Sequence, residues 1–303
     1  MNRREFNRRL LLFAAAAVVP RARAVASAPA ANPLTAVDTH AHVFLCTLTF
    51  APGRRYTPDY DATSERYLAL LDQHGLSHGV LIQPSFLGTD NRFLLDALRK
   101  HPRRLRGVAV VEPGVSGAAL GELAAAGIVG LRLDLFGLPI PDLRAPPWPA
   151  LFGRIARLGW QVEIHCEAKD LAAIVGPLLD AGVNVVVDHF GRPDPKLGVD
   201  DPGFRYLLTT APSRRVWVKL SAAYRNGADG RGEEIARAAA PLLRAAFGAE
   251  RLLWASDWPH TQFESATRFA ASRALLDIWI PSPAERAAIL GATPAQLFRF
   301  DTP

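Results

Sequence analysis

The chain has 303 residues, of which 49% are hydrophobic and 21% charged, and its formal net charge is +6. This composition is typical of a globular protein with a sizeable core and excludes an intrinsically disordered chain. The first 26 residues carry six arginines and one glutamate, a net charge of +5, which leaves about +1 for the rest. A body so close to neutral does not favour nucleic acid as a partner.

Residues 1–28 have the three-part pattern of an export signal. Arginines come first, the apolar run Leu10–Val19 follows, and small residues continue to about Ala31. The run is too short to span a membrane, and the Arg-Arg-x-Phe stretch that begins at Arg3 resembles a twin-arginine signal. We therefore expect the twin-arginine export machinery as a partner, a periplasmic or secreted bacterial protein, and no stable membrane span after cleavage. A general secretory signal or an uncleaved anchor is the alternative.

Residues 29–303 alternate between short segments rich in β-branched residues and longer segments with helical spacing. The predicted strands are Ala36–His42, Gly79–Gln83, Arg106–Val111, Gly130–Leu135, Gln161–His165, Asn184–His189, Val216–Leu220 and Leu252–Ser256. The predicted helices include Ser64–His74, Asn91–Lys100, Gly117–Ala125, Pro147–Leu158, Ala168–Ala181, Glu233–Phe247, Ser265–Leu276 and Pro283–Leu290. Eight such units in one domain predict a (β/α)8 TIM barrel.

Histidines and an aspartate fall at the ends of the predicted strands. His40 and His42 end the first strand, His165 the fifth and His189 the sixth, and Asp257 follows the eighth. The strand ends of a barrel meet at one rim, so these side chains should converge on one pocket. A lone His-x-His is a weak signal, but this larger set suits Zn²⁺ or a similar divalent metal.

Further polar residues at the same rim have two interpretations each. Asp257 is a candidate general base, and the alternative is a cap of the next helix. Arg132, Arg192 and Arg225 follow or end strands and suit bidentate binding of carboxylates, whereas a single rim arginine is more often an ion-pair partner.

The sequence resembles the amidohydrolase superfamily from about Ala36 to Phe300, and within it the group of 2-pyrone-4,6-dicarboxylate lactonases. The resemblance lies in segments that read VDTHAHVF from Val37, QPS from Gln83, GTDN from Gly88, GLR from Gly130, DHFGRP from Asp188 and DWPH from Asp257. It implies an amidohydrolase-type TIM barrel that hydrolyses a lactone or similar ring ester.

The same resemblance implies roles for individual residues. Asp257 would deprotonate the attacking water and later pass the proton to the leaving oxygen, while His40, His42 and His189 would polarise the carbonyl. The substrate carboxylates would be held by Tyr56, Ser85, Arg132, Arg192 and Arg225.

Two positions depart from the lactonase pattern. Leu138 stands where the group has a second arginine, so one carboxylate anchor is missing. His165 stands where the group, which works without a bound metal, has a tyrosine, whereas metal-dependent members of the superfamily have a histidine there. The sequence therefore leaves two possibilities: a metal-independent site, or one divalent metal, with zinc favoured, bound by His40, His42, His165 and Asp257.

Two rival functions belong to other classes. Related barrels use a similar His/Asp/metal set for non-oxidative decarboxylation, which would release CO₂ without ring opening by water. A periplasmic binding protein would use the arginines only to hold an organic acid, and the Asp/His set argues against it. The favoured prediction is a hydrolase acting on a small carboxylated lactone or related organic acid.

Overall fold

The computed structural model describes residues 34–301, so the predicted export signal at 1–28 lies outside the described residues. Eight strands run in chain order: β1 Val37–Ala41, β2 His78–Ile82, β3 Leu105–Ala109, β4 Ile128–Asp134, β5 Gln161–His165, β6 Asn184–Val187, β7 Val216–Leu220 and β8 Leu252–Trp254. Each strand pairs in parallel with the next.

Backbone hydrogen bonds just beyond β8 close the sheet into a barrel. Asp257 N–H donates to the carbonyl of His40 at 2.9 Å, and His42 N–H donates to the carbonyl of Trp258 at 2.8 Å. A parallel bridge between Ala41 and Trp258 accompanies them. The predicted TIM barrel is confirmed, and its closure brings the two catalytic candidates Asp257 and His40 together through the main chain.

Helices cover the outside of the barrel: α1 Ser64–Gln73, α2 Arg92–Lys100, α3 Gly117–Ala125, α4 Trp148–Leu158, α5 Leu171–Asp180, α6 Pro202–Thr209, α7 Arg231–Phe247, α8 Phe269–Trp279, α9 Pro283–Ala287 and α10 Thr293–Phe298. Side-chain caps explain several starts: Thr63 accepts from the N–H of Arg66 before α1, and Asp201 accepts from two N–H groups of α6. None of the helices in 34–301 has the length and hydropathy needed to cross a membrane.

The apolar interior forms two clusters. The larger one joins outward-facing strand residues, such as Leu81 and Ile164, to the covering helices. The smaller one joins Val80 and Val186 to the end of the chain, where Phe300 also packs against His78 at the start of β2. The end of the chain thus covers the side of the barrel at which strands begin, and the opposite rim stays available for a site.

Several strands end earlier than the sequence predicts. β6 ends at Val187 and β8 at Trp254, so His189 and Asp257 lie in the turns that follow. Both residues have positive φ, 51° and 60°, a conformation incompatible with a continuing strand. The predicted segments were too long because residues 188–189 and 255–256, which were included in them, lie beyond the strand ends.

Candidate active site

Alternate strand residues point into the barrel and carry the polar side chains of the site. On β4 these are Arg132 and Asp134, and on β5 they are Glu163 and His165. The register sets Arg132 opposite Glu163 and Asp134 opposite His165. Each pair is in contact, at 3.1 Å in both cases, so strand pairing alone fixes two interactions of the site.

The carboxylate of Asp257 has one occupied and one open oxygen. Oδ2 accepts hydrogen bonds from the hydroxyl of Tyr224 and from Nε of Arg225, both at 2.6 Å. Oδ1 is buried and has no hydrogen-bond partner within residues 34–301. A buried carboxylate oxygen without a partner is costly, which marks this atom as a point for a ligand or reactant.

Three imidazoles surround that open oxygen. The Nε2 atoms of His40, His42 and His189 lie 3.7, 3.9 and 3.9 Å from Asp257 Oδ1. All four residues are at least 94% buried. The structure therefore brings together the four residues predicted to be catalytic, although their roles remain predictions.

Electrostatics keep Asp257 ionised. Burial alone would raise its pKa, but Arg225 and the neighbouring histidines hold the pKa well below its ordinary value. Burial lowers the pKa of His42 and of His189 well below the ordinary value. At neutral pH the open oxygen is thus anionic and these two rings are neutral.

The hydrogen bonds of His42 define its neutral form. Its Nδ1 lies 2.9 Å from the carbonyl of Ile82, which can only accept, so Nδ1 carries the proton. Nε2 of His42 is then an acceptor, and it lies 3.2 Å from Nε2 of His40. Because Nε2 of His42 accepts, this ring is better suited to orienting His40 or binding a cation than to donating a hydrogen bond to an oxyanion.

His40 lies above a buried ion network inside the barrel. Its Nδ1 is 3.0 Å from Lys219 Nζ, 3.2 Å from Glu163 Oε1 and 3.3 Å from Asp188 Oδ1. Burial and Lys219 lower the pKa of His40, but the two carboxylates outweigh them and raise it. Lys219, whose direction the sequence left open, points inward and is fully buried.

Arg132 is paired with protein carboxylates at the floor of the site. Its Nη1 lies 3.1 Å from Glu163 Oε1 and its Nη2 lies 3.2 Å from Asp188 Oδ2. Arg132 also lines the cavity. The predicted role of Arg132 in substrate binding stays a prediction.

Arg192 and Arg225 form the cationic wall of the cavity. Arg192 donates to the carbonyl of Arg225 and stacks on Phe136, 4.3 Å from the ring centre. Burial and Arg225 lower the pKa of Arg192 to about 10, so it stays charged at neutral pH. Arg225 lies over the ring of Phe263 while holding Asp257. Both arginines line the cavity, and their predicted role in binding a substrate carboxylate stays a prediction.

Tyr56 and Ser85 also line this cavity, whose volume is about 170 Å³. The Tyr56 hydroxyl donates to Glu264 Oε1 at 2.5 Å, and Tyr60 shares that acceptor at 2.8 Å. Ser85 is exposed at the start of the turn after β2. The structure thus places both at the mouth of the site, with Tyr56 paired to the loop after β8.

The possible metal ligands differ from the predicted set. Within 34–301, one buried group with ligand atoms within 4.8 Å of one another consists of His40, His189 and Asp257. His165 belongs to no such group, and its Nδ1 faces Asp134. The open oxygen of Asp257 and the free Nε2 of His42 make the donor set compatible with one divalent cation.

Left-handed backbone is concentrated around the site. His189, Phe190, Arg192, Asp257 and His260 all have φ between 51° and 65° without being glycine. Such conformations cost of order 1–3 kcal/mol each and are common where a fold holds functional groups in place. Here they turn His189 and Asp257 inward immediately after their strands.

Sequence reasoning missed several residues that the site requires. Glu163 lies two positions before His165 on the same strand, and Lys219 lies inside the predicted seventh strand. The alternation of inward and outward side chains along a strand was a usable signal for both. Tyr224 and Asp134 acquire their contacts only through turns and strand register, which the sequence pattern does not display.

The rim of this barrel joins an aspartate, histidines and arginines in one cavity. These are the side chains of a TIM-barrel hydrolase whose site is compatible with a metal. The sequence profile described as Amidohydrolase matches residues 37–300. The chain belongs to the amidohydrolase family and is an enzyme of that family.

The chain is similar to lactone hydrolases over most of its length. It is 37% identical to 2-pyrone-4,6-dicarboxylate hydrolase of Comamonas testosteroni over 75% of this chain and 78% of the relative. It is 33% identical to 4-sulfomuconolactone hydrolase of Rhizobium radiobacter over 92% and 94%. A crystal structure of a probable 2-pyrone-4,6-dicarboxylic acid hydrolase from Acinetobacter baumannii with citric acid bound superposes with TM-score 0.86, 39% identity and coverage of 88% and 100%.

The ion network predicts a specific pattern of stability losses. Lys219→Met should lower the free energy of unfolding by about 3–5 kcal/mol, because it leaves Arg132 as the remaining paired guanidinium or ammonium for the two buried carboxylates Glu163 and Asp188. Adding Glu163→Gln should recover part of that loss. Urea unfolding of both single variants and the double variant measures the coupling, with exposed Lys100→Met as the control. Additive losses in the double variant would contradict the network.

Proposed function

We propose that the protein hydrolyses a small carboxylated lactone, with 2-pyrone-4,6-dicarboxylate-like compounds as the substrate class. The observation that carries this proposal is the open, buried Oδ1 of Asp257 facing the three Nε2 atoms. The named activities of the relatives support the reaction class, and the cationic wall formed by Arg192 and Arg225 supports a carboxylated substrate.

The reaction follows from these side chains. Asp257 takes a proton from water through Oδ1, and the water oxygen bonds to the lactone carbonyl carbon. His40, whose pKa the neighbouring carboxylates raise, and a donating His189 stabilise the oxyanion. His189 can donate from Nε2 because Ser221 Oγ, 2.9 Å from Nδ1, can supply the proton that Nδ1 accepts. Asp257 then returns its proton to the leaving ring oxygen, and the ring opens.

Arg225 links substrate binding to the strength of the base. Its bond to Oδ2 contributes to the low pKa of Asp257, which makes the free enzyme a weak proton acceptor. A substrate carboxylate beside Arg225 would add negative charge and weaken that stabilisation, so the pKa of Asp257 would rise when substrate is present. Carboxylated lactones should therefore react faster than their uncharged analogues, not merely bind more tightly.

Replacement of the base tests the mechanism directly. Asp257→Asn should reduce kcat for 2-pyrone-4,6-dicarboxylate by about 10²- to 10⁴-fold, because the amide cannot accept the proton. Steady-state kinetics measure the change, and exposed Asp96→Asn is the matched control. Retention of more than a tenth of wild-type kcat by Asp257→Asn would refute Asp257 as the base.

We also propose that the donor set can hold one divalent cation, and that the cation is zinc. His40, His189 and Asp257 would bind it, with Nε2 of His42 adjacent, since nitrogen donors with one carboxylate suit zinc. The two imidazoles would then bind as neutral rings through their lone pairs, in place of the donor roles described above. When bound, it would supply Lewis-acid polarisation of the carbonyl. The steps above require only the side chains.

A zinc titration tests this site without relying on turnover. Zinc added to chelator-treated protein at about 100 times its Kd should raise the free energy of unfolding by about 2.7 kcal/mol. The increase should vanish in Asp257→Asn and persist in Asp96→Asn, as measured by thermal unfolding. An equal increase in both variants would place the zinc elsewhere.

We further propose that the enzyme acts outside the cytoplasm after twin-arginine export. The support is the sequence of residues 1–28 alone. Replacing Arg3 and Arg4 by lysines should leave the full-length chain in the cytoplasm of a bacterial host, as fractionation and immunoblotting would show. Unchanged export would point to the general secretory route.

A further inference from the structure

A series of side-chain contacts that begins at Arg55, near the surface, fixes the position of His165. Two nitrogens of Arg55 bind the end of β4 and the loop after it: Nη2 lies 3.0 and 2.9 Å from the two oxygens of Asp134, and Nη1 donates to the carbonyl of Phe136. Asp134 Oδ1 in turn lies 3.1 Å from Nδ1 of His165. The ring of His165 stacks on Phe136 with centres 5.2 Å apart. The ring is therefore fixed in position and in rotation.

This series of contacts also determines which ring nitrogen carries the proton. Burial raises the pKa of Asp134, but His165, Arg132 and Arg55 hold it well below its ordinary value, so the carboxylate can only accept. Nδ1 of His165 must then be the donor. With Nδ1 donating to Asp134, a neutral ring presents the lone pair of Nε2 to the cavity.

Nε2 of His165 is an acceptor without a partner. It is buried, and within the described part of the chain no group donates to it. His165 lines the active-site cavity and packs edge-on against His189, with ring centres 5.3 Å apart. A buried acceptor of this kind costs free energy unless a ligand supplies a donor.

The arginines that line the same cavity are hydrogen-bond donors, whereas Nε2 of His165 is an acceptor. Arg192 and Arg225 can only donate and suit carboxylates, whereas a carboxylate placed at Nε2 of His165 would meet a lone pair and gain no bond. A hydroxyl group can donate there. The cavity thus has separate positions for an anionic and a hydrogen-bond-donating part of one molecule.

We propose that His165 is a specificity-determining residue whose Nε2 accepts a hydrogen bond from a hydroxyl group of the substrate. The inference rests on the proposed lactone hydrolysis and narrows it to lactones that carry both a carboxylate and a hydroxyl. Arg55 and Asp134 are positioning residues that act through His165.

The experiment compares matched substrates that differ by one hydroxyl. The probes are γ-butyrolactone-γ-carboxylate and its two ring-hydroxylated derivatives, assayed by the acid that ring opening releases. Wild-type protein should prefer one hydroxylated probe by about tenfold in kcat/KM, the effect of one buried hydrogen bond. His165→Phe keeps an aromatic ring against Phe136 but offers no acceptor, so the ratio of kcat/KM between the hydroxylated and unhydroxylated probes should fall to about one.

Two further variants separate recognition from folding. His165→Gln can present a carbonyl oxygen and should retain part of the preference. Asp134→Asn can donate an amide N–H to Nδ1, which moves the ring proton to Nε2, and should therefore lower the preference without removing the imidazole. A merely structural role would instead reduce the rates for all probes by the same factor.

Several results would overturn the proposal. They are a wild-type preference below about twofold, an unchanged preference in His165→Phe, and loss of zinc stabilisation in that variant, which would make Nε2 a metal ligand. The failure of hydrolysis itself is kept distinct by measuring Kd for the same probes by calorimetry in the Asp257→Asn background. A hydroxyl preference in Kd without turnover would retain the inference and refute the proposed reaction.

Discussion

The pairing of charges inside the barrel is the constraint on which the rest of the site depends. Glu163, Asp188, Arg132 and Lys219 are all at least 95% buried and contact one another across three strands. Charges removed from water destabilise a fold unless they are paired closely. The fold therefore cannot exchange one of these residues alone, and the network sets where His40 stands and which form it takes.

Above this network lie two aspartates, Asp257 and Asp134, that differ in their hydrogen-bond partners. Asp257 has one oxygen bound by Tyr224 and Arg225 and leaves the other facing the histidines. Asp134 has both oxygens engaged, by Arg55 and by His165. The first carboxylate is thereby available to a reactant, and the second orients a ring.

Much of this arrangement could be predicted from the sequence, because barrel geometry converts strand positions into proximity. Eight β-rich segments place His40 and Asp257 at one rim, although 216 residues separate His40 from Ser256, whose hydroxyl donates to the His40 carbonyl. The pairing of Arg132 with Glu163 could not be predicted, since it depends on the register between β4 and β5. His165 lies outside the group formed by His40, His189 and Asp257. Its contact with Asp134 likewise comes from strand register rather than from sequence spacing.

The same dependence on partners explains why residue type is a poor guide to function here. His42 and His165 are both neutral rings with Nδ1 as donor, to the carbonyl of Ile82 and to Asp134. His42 directs its free nitrogen at His40, inside the catalytic group, whereas the free nitrogen of His165 has no partner in the described chain. In a neutral imidazole, a hydrogen bond donated by Nδ1 leaves Nε2 as the acceptor. The partner of Nδ1, here called the second contact, therefore decides whether Nε2 can donate or accept. In this barrel those second contacts come from the main chain, at Ile82, and from the register of β4 and β5, at Asp134.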